Sequence, residues 1–423
     1  MRWRWSPPRK TQADGEMIYS ASIVLPMDGP PIPNGQLLVR SGVIEAVGAN
    51  LSKSHPNEPL KDLGDAILMP GFVNAHTHLD FSALKGTADG KPFAEWLSSM
   101  TAFILGRRRE DFYWSGMLGA AEMVRAGTTC VGDSTPVGDS ATVISDVGLR
   151  GVVYRETFDH ADKLDRLGDC IAELQAKVSN NVRIGVSPHT IYTQSPEVIR
   201  LSAQLAAERG LPVMIHLAET REESVFCGQC RTPAVYLAEM GVLSSDWLLA
   251  HCVHCDNDDL AIFAQSGAAV AHCPRSNALL GAGIAPLSRL LQAGITVGLG
   301  TDSAASNFDL DLLSEARFAL AIHRGASEDA SSITAETVLQ MATIGGARAL
   351  GLEQVGCLAP GWAADFIAIR VGDESAPMCY NPYSKLIFGG GTEVVLSVVA
   401  GREIMSEGQL LSLDEAASEQ VES

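Results

Sequence analysis

Pro70-Gly71-Phe72-Val73-Asn74-Ala75-His76-Thr77-His78-Leu79-Asp80 is an apolar run that ends in two histidines one residue apart. Residues two apart in an extended strand lie on the same face, so the imidazoles of His76 and His78 point the same way and can share one cation. Such a pair also occurs as ordinary polar residues leaving a strand, so its meaning depends on the rest of the chain. From residue 66 to about residue 354, short apolar runs alternate with helical stretches, the signature of repeated βα units and a parallel sheet. The later runs are 128–133, 151–156, 182–187, 212–216, 247–251, 268–272 and 296–300, which with the first make eight. Between them lie helix starts such as Ser195-Pro196-Glu197, a capping residue followed by proline at the first helical position. Eight strands over this length predict a (β/α)8 TIM barrel rather than a doubly wound sheet.

The flanks read differently. Short β-type runs between Pro/Gly turns occupy 17–65, and a matching set follows Gly356, so both termini are expected to build one small β-sandwich accessory domain from 17–65 and 355–410. Residues 1–16 read as a loose arm and 411–423 as a tail.

The chain has 423 residues with 31 basic against 50 acidic side chains, a net charge of −19, which disfavours nucleic acid or an anionic membrane as partner and points to a small molecule. No apolar run is long enough for a membrane helix and the first residues lack a secretory core, so the cytoplasm is the expected location. Self-association is left open by the sequence. The nine cysteines fit reduced thiols. Cys227-x2-Cys230 and Cys252-x2-Cys255 have a zinc-ribbon form, but the spacer holds a helix and a strand, so packed free thiols are expected there.

In a barrel the reactive residues sit where strands end. His76 and His78 end the first strand, His189 follows the fourth, His216 ends the fifth with Glu219 three residues on, His251 ends the sixth, His272 the seventh, and Asp302 follows the eighth. Most of the ten histidines thus fall at predicted strand ends. His76, His78, His216 and Asp302 offer three imidazoles and a carboxylate, a set that suits one divalent ion, Zn²⁺ first and Fe²⁺ as the alternative, and leaves room for a water whose pKa the ion lowers. Glu219, beside that position, is placed to carry protons, and His251 to steady the nucleophile and the developing charge. Other readings of the same residues are a helix-start carboxylate for Glu219 and an Asx-turn for Asp302. His272 is expected to fix a loop, and His254 and His323 to lie at the surface or behind the site.

Pro70–His78, Ser187-Pro-His189, His216-Leu-Ala-Glu219, Ala250-His251, His272-Cys-Pro-Arg-Ser-Asn277 and Gly300-Thr-Asp-Ser-Ala-Ala-Ser-Asn307 together resemble the amidohydrolase superfamily, in its cytosine/guanine/adenosine-type deaminase and chlorohydrolase branch. The resemblance runs on through Gly356-Cys-Leu-Ala-Pro-Gly-Trp-Ala-Ala-Asp365. It implies a mononuclear site with the four ligands named, catalytic roles for Glu219, His251 and Asp302, and an accessory β-domain. Bimetallic members use a lysine on the fourth strand, and 182–189 contains none. Among members the chain is most similar to deaminases of 5′-methylthioadenosine, S-adenosylhomocysteine and aminodeoxyfutalosine, the last an intermediate of one menaquinone pathway. That likeness implies substrate contacts from His189, Arg155, Trp96 and Ser303. Methylthioadenosine-type members carry a ribose-binding glutamate shortly after the tryptophan, whereas 100–106 offers none, and Leu79-Asp-Phe-Ser-Ala-Leu-Lys-Gly86 has the aminodeoxyfutalosine flavour. The resemblance therefore implies an aminodeoxyfutalosine-like deaminase, with methylthioadenosine/S-adenosylhomocysteine or guanine deamination, s-triazine chlorohydrolysis and a non-catalytic scaffold as the other readings.

Overall fold

A computed structural model of the protein describes residues 16–87, 89–158, 166–227, 231–372 and 381–411. Eight parallel strands form a nearly closed TIM-type barrel: β1 (Phe72–Thr77), β2 (Thr128–Thr135), β3 (Arg150–Thr157), β4 (Val182–Pro188), β5 (Val213–Leu217), β6 (Trp247–His251), β7 (Ala269–His272) and β8 (Val297–Leu299), each hydrogen-bonded to its neighbours in chain order. Nearly every strand residue is buried, as expected of a parallel sheet covered on both faces, and this is why the strands read as continuous apolar runs. Val73, Ala75, Val152, Tyr154, Met214, Leu248 and Ala250 fill the barrel interior, while Val131, Val153, Ile215 and Leu249 face the surrounding helices.

The helices start and stop where their caps dictate. Ser195 accepts from the Val198 N–H ahead of Pro196–Arg209, and Gly210 ends that helix at φ 62°. Thr232 and Gly241 do the same for Pro233–Met240, and an Asp256–Asp259 capping box opens Asn257–Ser266.

Closure between β1 and the end of β8 combines side-chain bonds with one isolated backbone bridge, Thr77 with Asp302. Asn74 Nδ2 donates to Thr301 Oγ1 at 2.8 Å, the Thr301 N–H donates to Asn74 Oδ1 at 3.1 Å, and the Asp302 N–H donates to the His76 carbonyl at 3.0 Å. These bonds draw Asp302 against His76 of β1 and His78 just beyond it.

The accessory domain is a sandwich of a four-stranded sheet (Val43–Ala49, Gly35–Arg40, Met17–Ser20, Leu60–Asp62) and a seven-stranded sheet with Phe366–Val371 and Ala66–Pro70 near its centre. Period-2 alternation splits the second sheet: Leu68, Phe366 and Ala368 pack with Tyr19, Leu37 and Ile44 inside the sandwich, whereas Ile67, Met69, Ile367 and Ile369 join the core around the barrel helices. Ala66–Pro70, expected as barrel, pairs antiparallel with Phe366–Val371, and Gly71 separates it from β1. The apolar run continues without interruption from Ala66 to Val73, which hides the break in a hydropathy reading. Residues 1–15 and 412–423 lie outside the described residues. Among the described residues no helix is long and apolar enough to cross a membrane.

Candidate active site

The strand-end residues converge at the C-terminal mouth of the barrel. His78 Nδ1 donates to the Ser134 carbonyl at 2.9 Å, and His216 Nδ1 to the His189 carbonyl at 2.9 Å. Each ring therefore turns an Nε2 lone pair inward, and the two Nε2 atoms lie 3.1 Å apart. Neither can donate to the other while both rings are neutral. Burial, reinforced by neighbouring histidines, pushes His78 down to about 3 and His216 well below the ordinary histidine range, so they stay neutral. Two facing lone pairs repel unless a cation sits between them. His76 Nε2 is likewise buried without a hydrogen-bond partner, 3.4 Å from Asp302 Oδ1, which is also 3.5 Å from His78 Nε2. The donor set fits a divalent ion: three imidazoles and one carboxylate oxygen with their other polar atoms already engaged or turned away. Asp302 Oδ2 accepts from Ser276 Oγ at 2.6 Å and Ser306 Oγ at 2.9 Å, which leaves Oδ1 for the cluster.

Glu219 and His251 face this cluster. Alternation along β6 would turn His251 outward with Trp247 and Leu249, but its φ of 75° re-aims the side chain into the cavity. Its Nδ1 is held by Asn277 Oδ1 at 2.9 Å, and its Nε2 lies 3.9 Å from Glu219 Oε1. Burial pushes Glu219 up to about 7, with His251 opposing. For His251 burial opposes the charge, but Glu219 and then Asp302 outweigh it and raise its pKa. The pair is thus poised to exchange a proton near neutrality.

The cavity above holds about 410 Å³. His189 and Ser303 line its polar floor, and Trp96 lines its wall with Phe93, Leu97 and Met100 from the helix Phe93–Leu105. His189 is oriented by Thr193 Oγ1 at 3.1 Å, which meets Thr190 Oγ1 at 2.8 Å. Ser303 Oγ also accepts from the Ala305 N–H, capping a short turn. Arg155 is placed otherwise: its guanidinium turns onto the Glu156 carbonyl, and it is absent from the described residues that line the cavity. Glu156 does line it, with one oxygen 2.9 Å from Ser134 Oγ, and sequence reading passed it over because a carboxylate ending a buried strand carries no spacing signal. Ser276, Asn277 and Ser306 were also passed over as orienting groups, although they stand inside the quoted motifs.

His272 shares alternation with Val270, so it points outward and pairs with His323 Nε2 at 2.8 Å. This replaces the expected loop-fixing role and puts His323 in the interior, not at the surface. His254 is half-buried with Nε2 on the Ala282 carbonyl. Cys227, Cys252 and Cys255 are buried free thiols, Cys230 lies outside the described residues, and among the described residues no metal-capable group contains a cysteine.

Residues 67–404 match the model of the amidohydrolase family. A 5-methylthioadenosine/S-adenosylhomocysteine deaminase of Nitratidesulfovibrio vulgaris (strain Miyazaki F) is 36% identical over 414 residues, covering 94% of each chain, and that of Pelotomaculum thermopropionicum is 34% identical over 412 residues, covering 94% of this chain and 95% of that one. Among solved structures, an adenosine deaminase from Xanthomonas campestris with bound zinc superposes with a TM-score of 0.90 at 28% identity over 96% of this chain and 97% of that one. An atrazine chlorohydrolase from Arthrobacter aurescens TC1 complexed with zinc gives 0.89 at 25% over 96% and 99%. With a match this long and a metal-capable cluster at the barrel mouth, the chain belongs to the amidohydrolase family, as a metal-dependent hydrolase of C–N bonds.

Proposed function

We propose that the protein hydrolytically deaminates the adenine ring of a modified nucleoside and releases ammonia. The observation that carries this reading is the Glu219–His251 pair, 3.9 Å apart and facing the His/Asp cluster in a cavity of nucleoside size. One divalent ion, Zn²⁺ first and Fe²⁺ as the alternative, would be held by His76, His78, His216 and Asp302. When bound it supplies Lewis acidity and lowers the pKa of water toward neutrality.

The chain's own residues do the rest. Glu219 takes the proton of the attacking water and delivers it to the ring nitrogen beside the amino-bearing carbon, then takes the remaining proton of the added hydroxyl and passes it to the amine as the C–N bond breaks and the carbonyl forms. His251, fixed by Asn277, orients the water and stabilises the charge that develops on attack. Asp302, with Oδ2 tied to Ser276 and Ser306, accepts from the same water through Oδ1. His189 hydrogen-bonds the purine, Trp96 stacks at the wall, and Ser303 contacts the polar edge. Arg155 would reach substrate only by leaving the Glu156 carbonyl.

Two substrates divide the reading. The lack of a carboxylate in 100–106, together with the apolar wall of Leu97, Met100, Ile104 and Leu105, favours aminodeoxyfutalosine and hence a step in menaquinone biosynthesis. The names of the curated relatives support 5′-methylthioadenosine or S-adenosylhomocysteine instead. Ammonia release should be measured across these three nucleosides, adenosine, guanine and an s-triazine. We expect aminodeoxyfutalosine to have the highest kcat/KM, by at least about tenfold, the value of one well-made polar contact. A higher value for methylthioadenosine selects the second reading, and no ammonia from any purine removes both.

A further inference from the structure

We propose that Glu223 positions Glu219 by holding the backbone of the turn after β5, an inference that rests on the proton-carrying reading of Glu219. β5 ends at Leu217, and Ala218 then takes φ 51°, a left-handed conformation unfavourable for alanine. The kink points three successive backbone N–H groups into one concavity, a geometry that binds anions. The Glu223 carboxylate fills it. Oε2 accepts from the Ala218 N–H at 2.8 Å, and Oε1 accepts from the N–H groups of Glu219 at 2.7 Å and Thr220 at 3.1 Å. Ala218 and Glu219 are buried, Thr220 is half-buried and Glu223 is only 2% exposed, so at least the Ala218 and Glu219 donors have no solvent to turn to.

On the opposite side the turn is held by backbone alone: the Cys252 N–H donates to the Leu217 carbonyl and the His254 N–H to the Ala218 carbonyl. Among the described residues, Glu223 is therefore the side chain whose hydrogen bonds hold the direction in which Glu219 leaves the strand. It does not itself line the cavity over the His/Asp cluster; its bonded contact with the site runs through the Glu219 backbone, and its charge also acts at longer range on His251. Among the described residues its carboxylate is hydrogen-bonded to the Ala218, Glu219 and Thr220 N–H groups and not to a cluster ligand.

The amide of Glu223→Gln keeps the volume but replaces one acceptor oxygen by a donor that opposes an N–H of the turn. Glu223→Asp keeps the charge but is too short to meet all three donors. Both variants should lower kcat about 10- to 100-fold, the usual consequence of a catalytic group displaced by around an ångström. KM should stay within about threefold and metal content at the parent value. The deciding measurement is the cycle with Glu219→Gln: in that background Glu223→Gln should cost less than about twofold more, because residues that act as a unit are not additive. The same loss in both backgrounds, loss of metal, or a kcat within about twofold of the parent overturns the proposal. If Glu219→Gln alone turns over like the parent, the proton-carrying reading falls and this inference with it, an outcome identified by that single variant before the cycle is built.

Discussion

Glu219 and Asp302 are both almost wholly buried carboxylates, yet their neighbours prepare them for different work. Asp302 has one oxygen saturated by two serine hydroxyls, so its charge is fixed and its second oxygen committed to the cluster. Glu219 instead faces the His251 imidazole at 3.9 Å, with an Asp302 oxygen also within 4.8 Å, and burial pushes it up to about 7. Glu219→Gln should accordingly keep metal and fold but lower kcat about 10²–10⁴-fold, the usual worth of a positioned proton carrier. A helix-start charge alone would be worth only about 0.3–1 kcal/mol of stability; a variant within a few-fold of the parent would point to that lesser role and to a chemistry with an easier leaving group. Ser276→Ala should release the Asp302 carboxylate to rotate and weaken metal binding about 10- to 100-fold, as loss of a partner behind a ligand commonly does. Competition with a chelator measures this, and unchanged metal retention would mean Ser306 suffices alone.

At the scale of elements, the strand ends aim the site and the flanking contacts hold the aim. Asn74 ties β1 to Thr301, so Asn74→Ala should loosen the approach of Asp302 to His76 and His78 and show as metal loss on dialysis before any change in the far-UV spectrum. The buried His272–His323 pair joins β7 to the helix Leu312–Ser327 and gives a pH signature. Burial lowers His323 to about 4. A histidine with a depressed folded pKa binds its proton only in the unfolded chain between about 6.5 and that value, so stability is full above about pH 6.5 and declines as pH falls toward 4. Replacing His323 by glutamine should flatten the fall of Tm between pH 7 and pH 4.5; an unchanged slope would place the acid sensitivity elsewhere.

For the whole molecule, the sandwich and barrel are clamped by Arg150 at the start of β3 and Asp365 before the strand Phe366–Val371. Arg150 Nη2 donates to Asp365 Oδ1 at 3.1 Å and Nε to Oδ2 at 2.5 Å. Asp365 is buried and Arg150 half-buried, so Asp365→Ala leaves that guanidinium and the Ala400 N–H unpaired and should cost about 1–3 kcal/mol, read as a lower Tm with the metal site intact. Elemental analysis should find one divalent ion per active chain, because the cluster offers one set of converging donors; two equivalents would refute the mononuclear site. Much of this molecule was legible before it folded. Eight apolar runs, their caps and the histidines at their ends are local patterns, and a barrel places strand ends together whatever the loops between them. Tertiary structure decided what depends on positions far apart or on one backbone angle: that Ala66–Pro70 joins Phe366–Val371 rather than the barrel, that a positive φ turns His251 inward while alternation turns His272 outward, and that Arg155 yields the cavity to Glu156. Such choices are set by hydrogen bonds and packing between segments as much as 300 residues apart, for which a single chain read in order carries no periodic signal.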